Sequence, residues 1–123
     1  MKKKILIIDD DPVVLKYIES ILSDHGYEIH KAGDGTEALG LLDTVKPDLI
    51  TLDLQMPEQW GPRFYRRMMQ NEAYREIPVI VISGLAGSSY SIPKAAGYLS
   101  KPFEPEALVQ KVHALIKQDH AQA

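Results

Sequence analysis

Cysteine is absent from this chain of 123 residues, and its absence excludes disulfide bonds, thiolate metal sites and thiol nucleophiles together. Long apolar runs are missing as well. None approaches the roughly 18 consecutive residues that mark a membrane-crossing helix. The three lysines after Met1 lead straight into Ile5-Leu6-Ile7-Ile8-Asp9, which does not resemble a cleavable leader. Positive charge is not in excess either: 14 Lys and Arg against 17 Asp and Glu give a net charge of −3. The sequence therefore carries no basic footprint for nucleic acid. The expectation is a cytoplasmic protein that touches neither membrane nor nucleic acid directly. What is present is ordinary for a globular domain, with 45% hydrophobic and 25% charged residues. The length suits one domain with a real core, so residues 1–123 read as a single unit.

Three apolar runs stand out: Lys4–Asp9, Asp48–Asp53 and Val79–Ser83. They lack the polar alternation of a half-exposed strand and fit strands covered on both faces. Tyr27–Ala32 and Gly97–Ser100 are weaker strand candidates. Helical patterns lie between them. Asp11-Pro12 is an N-cap followed by proline at the first helical position, and Val14, Ile18, Ile21 and Leu22 keep one apolar face until Gly26. Asp34 caps a second helix carrying Ala38, Leu41, Leu42 and Val45, with Pro47 just beyond it. A third helix covers roughly Pro62 to Asn71, its Phe64 and Met68 on one face and Arg63, Arg66 and Arg67 flanking it as a solvated surface. A last helix starts near Pro105 with Leu108, Val112, Leu115 and Ile116. This alternation argues a parallel sheet with helices on both faces. One connection breaks it: Gly84-Leu-Ala-Gly-Ser-Ser-Tyr-Ser-Ile-Pro93, rich in glycine and serine, is a poor helix where a helix is due.

In open parallel sheets, ligands bind outside the carboxyl ends of the strands. Those ends collect Asp9, Asp10, Asp11, Asp53, Ser83 and Lys101. Taken singly, each has a plain reading: Asp11 is a cap, Ser83 a turn hydroxyl, Lys101 a surface charge. Taken together, they do not. Carboxylates about 5 Å apart repel by roughly 3 kcal/mol per pair at an effective dielectric near 20. Asp9, Asp10 and Asp53 side by side call for protonation, spreading or a cation. Oxygen-only ligands with room for water suit Mg²⁺ (or Mn²⁺), which commonly shares its sphere with a phosphate. Lys101 and Ser83 then offer a charge and a hydrogen bond to the phosphate oxygens, as phosphoryl transfer requires.

The runs IIDDDP, DGTEAL, DLITLDLQMP, VIVISG and YLSKPF stand in the order and near the spacing of the receiver domains of two-component response regulators, and the chain resembles that family over nearly its whole length. The resemblance implies a flavodoxin-like, doubly wound, five-stranded parallel sheet of order 2-1-3-4-5, helices on both faces. It implies Asp53 as phosphoacceptor, and Asp9, Asp10, Asp53 and the backbone carbonyl of Gln55 as metal ligands. Lys101 matches the phosphate-pairing lysine, Ser83 the switch hydroxyl and Tyr98 the switch aromatic. Lys101-Pro102 matches a cis peptide, and Gln55 and Leu85 the positions that tune dephosphorylation. The implied partners are a sensor histidine kinase or histidine phosphotransfer protein on one side and a downstream protein target on the other. The implied chemistry is the chain's own phosphorylation and slow dephosphorylation, not turnover of a separate substrate.

Rival readings remain on the sequence alone. A phosphatase of the haloacid dehalogenase type wants a second aspartate two positions after the first, where Gln55 stands. A flavodoxin-like electron carrier needs a Ser/Thr/Gly phosphate loop where this chain has three acids. A receiver-like module that binds partners without phosphorylation keeps the same residues. Two departures from the family pattern are also visible. Gln59, Trp60 and Pro62 surround the family's glycine, Gly61, and Trp60 reads either as packed on the third helix or as a partner-contacting aromatic. The family's fourth helix, expected over 84–93, is expected to be shortened or irregular. His25, His30, His113 and His120 show no ligand spacing, and His113 is expected on a solvated helix face.

Overall fold

Residues 2–84, 92 and 94–116 are described by the computed structural model. The apolar runs form five strands: β1 (Lys4–Ile8), β2 (Glu28–Ala32), β3 (Leu49–Asp53), β4 (Val79–Ser83) and β5 (Gly97–Ser100). All pair in parallel, in the order β2-β1-β3-β4-β5, as the family resemblance implied. Every residue of β3 and β4 is buried, which explains their unbroken apolar character. β2 and β5, at the edges, are only partly covered and correspondingly weaker in sequence.

Among the described residues, four helices cover the two faces: α1 (Pro12–Ser23), α2 (Gly35–Val45), α3 (Trp60–Met69) and α4 (Pro105–Leu115). Strand alternation divides the core. Ile5, Ile7, Leu49, Ile80 and Ile82 meet Ile18 and Leu22 of α1 and Leu108 and Val112 of α4. Leu6, Ile8, Ile50, Leu52, Val79 and Val81 meet Ala38 and Leu42 of α2 and Phe64, Tyr65 and Met68 of α3. The period of two along each strand is what sends successive side chains to opposite layers.

The caps explain where the first two helices begin. The Asp11 side chain accepts from the Val13 amide at 2.9 Å, with Pro12 in the first turn. Asp34 accepts from the Glu37 amide at 2.7 Å, while the Glu37 side chain accepts from the amide of Gly33, one residue before the cap, at 2.8 Å. α3 departs from the expected start at Pro62. A 3₁₀ turn at Pro57–Gln59, with Glu58 and Gln59 left-handed (φ 59° and 56°), delivers the chain so that Trp60 opens the helix. Pro62 then sits in the first turn, where its missing N–H costs no helical bond. His113 is exposed on α4, as expected, and its Nδ1 also shares a 2.7 Å hydrogen bond with the hydroxyl of Tyr27, a buried residue in the connection from α1 to β2. The shortened helix expected over 84–93, and with it Leu85, lies outside the described residues apart from Gly84 and Ile92. So does His120.

Candidate functional site

Among the described residues, the buried polar side chains are Asp9, Thr51, Asp53 and Ser83, exposed by 3% or less. Three of them sit at the carboxyl edge of the sheet. Asp53 ends β3, Ser83 ends β4, and Asp9 follows β1 directly, its amide bonded to the Ala32 carbonyl at 3.1 Å. Register explains the gathering. Asp53 pairs with Ile82, one residue short of Ser83, and Ser83 pairs with Ser100, one residue short of Lys101. The Lys101 amide then donates to the Ser83 carbonyl at 3.0 Å, which carries the lysine over the edge. The Lys101-Pro102 peptide is cis, as implied.

The Lys101 ammonium donates to Asp9 Oδ2 at 2.9 Å and lies 3.6 Å from Asp53 Oδ1. Asp9 Oδ1 accepts from the Asp11 amide at 2.9 Å, and Asp53 Oδ1 from the Gln55 amide at 3.0 Å. Asp10 is exposed beside them. Asp9, Asp10 and Asp53 each offer an oxygen, all within 4.8 Å of one another, so the three could hold a metal ion. The donor set is all oxygen and partly open to water, which fits a hard divalent cation. Electrostatics agree with that fit. Burial pushes the Asp53 carboxyl above its ordinary value; the Gln55 N–H and Lys101 work against the rise, and the Asp9 and Asp10 charges add to it. Burial works to lower the Lys101 ammonium, but its bond to Asp9 and the charges of Asp53 and Asp9 outweigh it, and its pKa is raised. A lysine in that setting is a fixed positive charge.

Four features escaped the sequence. The Gln55 side chain accepts from the Gly84 amide at 3.0 Å, so one residue ties the end of β3 to the exit of β4. Gly61 presses on the strand that ends in Asp53: a Cβ there would lie 2.9 Å from the Asp53 carbonyl oxygen and 2.7 Å from Leu54 Cα. Trp60 lies half-buried over the backbone of Gly35 at the start of α2, where a Cβ would run into its ring. The hydroxyl of Tyr98 donates to the Ile92 carbonyl, which turns this half-buried β5 residue inward. Only the retained glycine at 61 was a visible signal, because the other contacts depend on which elements become neighbours.

Comparisons with known proteins accord with this geometry. Residues 5–113 match the family described as the response regulator receiver domain. Protein Rrf1 of Nitratidesulfovibrio vulgaris is 34% identical over 112 residues, covering 91% of this chain and 81% of that protein. The DNA-binding dual master transcriptional regulator RpaA of Synechocystis is 35% identical over 118 residues, but this chain spans only 49% of its length. Among solved structures, the chemotaxis response regulator CheY4 of Vibrio cholerae superposes with a TM-score of 0.85 at 28% identity, over 94% of this chain and all of that one. A putative response regulator from Chloroflexus aurantiacus reaches 0.87 at 30% identity, over 94% and 98% of the two chains. With the 2-1-3-4-5 sheet, the acid cluster and the lysine at its carboxyl edge, these matches make the chain a member of the receiver-domain family of two-component response regulators.

Proposed function

We propose that residues 1–123 form one receiver unit, a cytoplasmic switch thrown by phosphorylation of Asp53. The donor is a phosphohistidine on a sensor histidine kinase or histidine phosphotransfer protein. A carboxylate oxygen of Asp53 attacks phosphorus, the P–N bond breaks, and the leaving imidazole keeps the electron pair and takes up a proton. Mg²⁺ or Mn²⁺, held by Asp9, Asp10, Asp53 and the Gln55 backbone carbonyl, supplies neutralisation of the phosphoryl charge when bound. Lys101 pairs with the phosphoryl oxygens from the other side, and Ser83 hydrogen-bonds to them. The added charge, about −1.5 to −2, draws Ser83 toward the site, and Tyr98 moves into the space vacated. The β4–β5 surface is then what a downstream protein target reads. The chain acts on no other substrate; it catalyses only its own labelling and slow loss of the label.

One observation carries this reading. The Lys101 ammonium stands 2.9 Å and 3.6 Å from two buried carboxylates, a charge held where a phosphoryl group on Asp53 would need it. The test is incubation with acetyl phosphate and Mg²⁺, followed by intact mass. Wild type gains one phosphoryl group and Asp53→Asn gains none; equal labelling of both sinks the proposal. If the wild type is labelled but its β4–β5 amide resonances do not move, the switching step is wrong and the chain is a phosphorylation-independent binding module.

A further inference from the structure

The chain's four arginines are Arg63, Arg66, Arg67 and Arg75; every other cationic side chain from residue 2 to residue 117 is lysine. Arg63, Arg66 and Arg67 lie on α3 and, with Gln70, line a notch of about 180 Å³. Positions 63, 67 and 70 follow one row of the helix, and Arg66 lies beside it. The row is about 10 Å long at 1.5 Å per residue. Arg66 and Arg67 are exposed, and among the described residues no carboxylate pairs with Arg63, Arg66 or Arg67. Every side chain lining the notch brings N–H donors and none brings negative charge.

The bland account is a solvated helix face. Two arginines in the last turn do favour the negative end of the helix. That account does not reach Arg63, a turn earlier, nor does it need arginine in place of the lysine used elsewhere. Arg63 is also held in place. Its guanidinium stacks 4.1 Å from the centre of the Trp60 ring and donates to the Glu58 carbonyl at 3.4 Å. Fork-shaped donors of fixed orientation recognise carboxylates two bonds at a time, which lysine cannot.

We propose that this arginine face of α3 is a docking surface for an acidic segment of a partner protein, one with two or three carboxylates that match a row about two helical turns long. Charge complementarity selects the occupant. The chain as a whole is at −3 and repels extended polyanions, whereas a short acidic segment feels mainly the three local positive charges. The helix that bears the face is seated on the site: Gly61 packs α3 against the carbonyl of Asp53, so the partner binds an element in direct contact with that strand end.

The test uses the unphosphorylated chain, so its result is separate from the fate of the Asp53 reading. Acetylated, amidated octaglutamate is titrated while the emission of Trp60, the only tryptophan, and the backbone amide shifts of α3 are followed. Saturable binding that weakens with added salt is expected, with no response to octaglutamine. Arg66→Gln/Arg67→Gln should bind at least fivefold more weakly, and Lys16→Gln on α1 as tightly as wild type. Absence of saturable binding, equal binding by the double variant, or an equal response to inorganic phosphate or duplex DNA at matched ionic strength overturns the proposal. Acetyl phosphate labelling of the double variant should match wild type, which separates loss of docking from damage to Asp53.

Discussion

Asp53→Asn should make the metal-free protein more stable, and the magnitude can be worked from the site. The carboxylate is 2% exposed. At an effective dielectric near 20, Lys101 at 3.6 Å returns about 4.6 kcal/mol and Asp9, within 4.8 Å, takes back at least about 3.5 kcal/mol, with exposed Asp10 adding a smaller, solvent-screened repulsion. The pair terms nearly cancel. What remains is desolvation, several kcal/mol for a buried ion, set against roughly 1.5 kcal/mol from the Gln55 N–H bond. A net penalty of about 1–3 kcal/mol follows, and the neutral amide escapes it. The folded-state pKa of Asp53 lies above its unfolded value, so the folded chain binds the proton more tightly. The penalty is therefore full above the folded pKa and fades as pH falls through it toward the ordinary value of 3.8. Urea unfolding in EDTA at pH 7.5 should show the variant ahead by that amount, with the gap closing as pH falls toward 4. Adding Mg²⁺ to one thousand times its Kd should reverse the order, because it then stabilises wild type by about 4.1 kcal/mol. A variant less stable than wild type in EDTA, at neutral pH, would refute the reasoning.

Lys101→Met leaves Asp9 and Asp53 facing each other with no cation, and should cost about 2–4 kcal/mol in urea unfolding at pH 7.5 without metal. Because the folded-state pKa of Lys101 is raised, the lysine's contribution is present below about 10.4 and lost as pH rises through the folded value, so the deficit should shrink only at strongly alkaline pH. Gly61→Ala gains about 1 kcal/mol of helix propensity, but its Cβ meets backbone at 2.7 Å. A net loss of about 1–3 kcal/mol in thermal unfolding is expected, and a gain would show that α3 is free to back away from Asp53. Tyr27→Phe should lose about 1 kcal/mol with its bond to His113. His113→Ala should cost less in the Tyr27→Phe background than alone, as a double-mutant cycle would show.

The parallel α/β class and the caps of its first two helices were readable from one residue to the next. Val79-Ile-Val-Ile-Ser83 carries no polar alternation because both faces of β4 are covered, and Asp11-Pro12 and Asp34 name their own helix starts. The acids, the hydroxyl and the lysine were readable as strand-end residues because a parallel sheet brings all its carboxyl ends to one edge. Their mutual distances were not. That Lys101 reaches Asp9 at 2.9 Å and only approaches Asp53 at 3.6 Å depends on the register of β5 on β4, which pairs residues 17 apart in sequence at Ser83 and Ser100. The bond of Gln55 to Gly84, the seat of Trp60 on Gly35 and the bond of Tyr27 to His113 are of the same kind. Local pattern by itself determined which residues become strand, cap or core, since those choices rest on the period of a few neighbours. The tertiary structure alone decided which charge faces which, because Coulomb energy and hydrogen bonds depend on distances that no local period encodes.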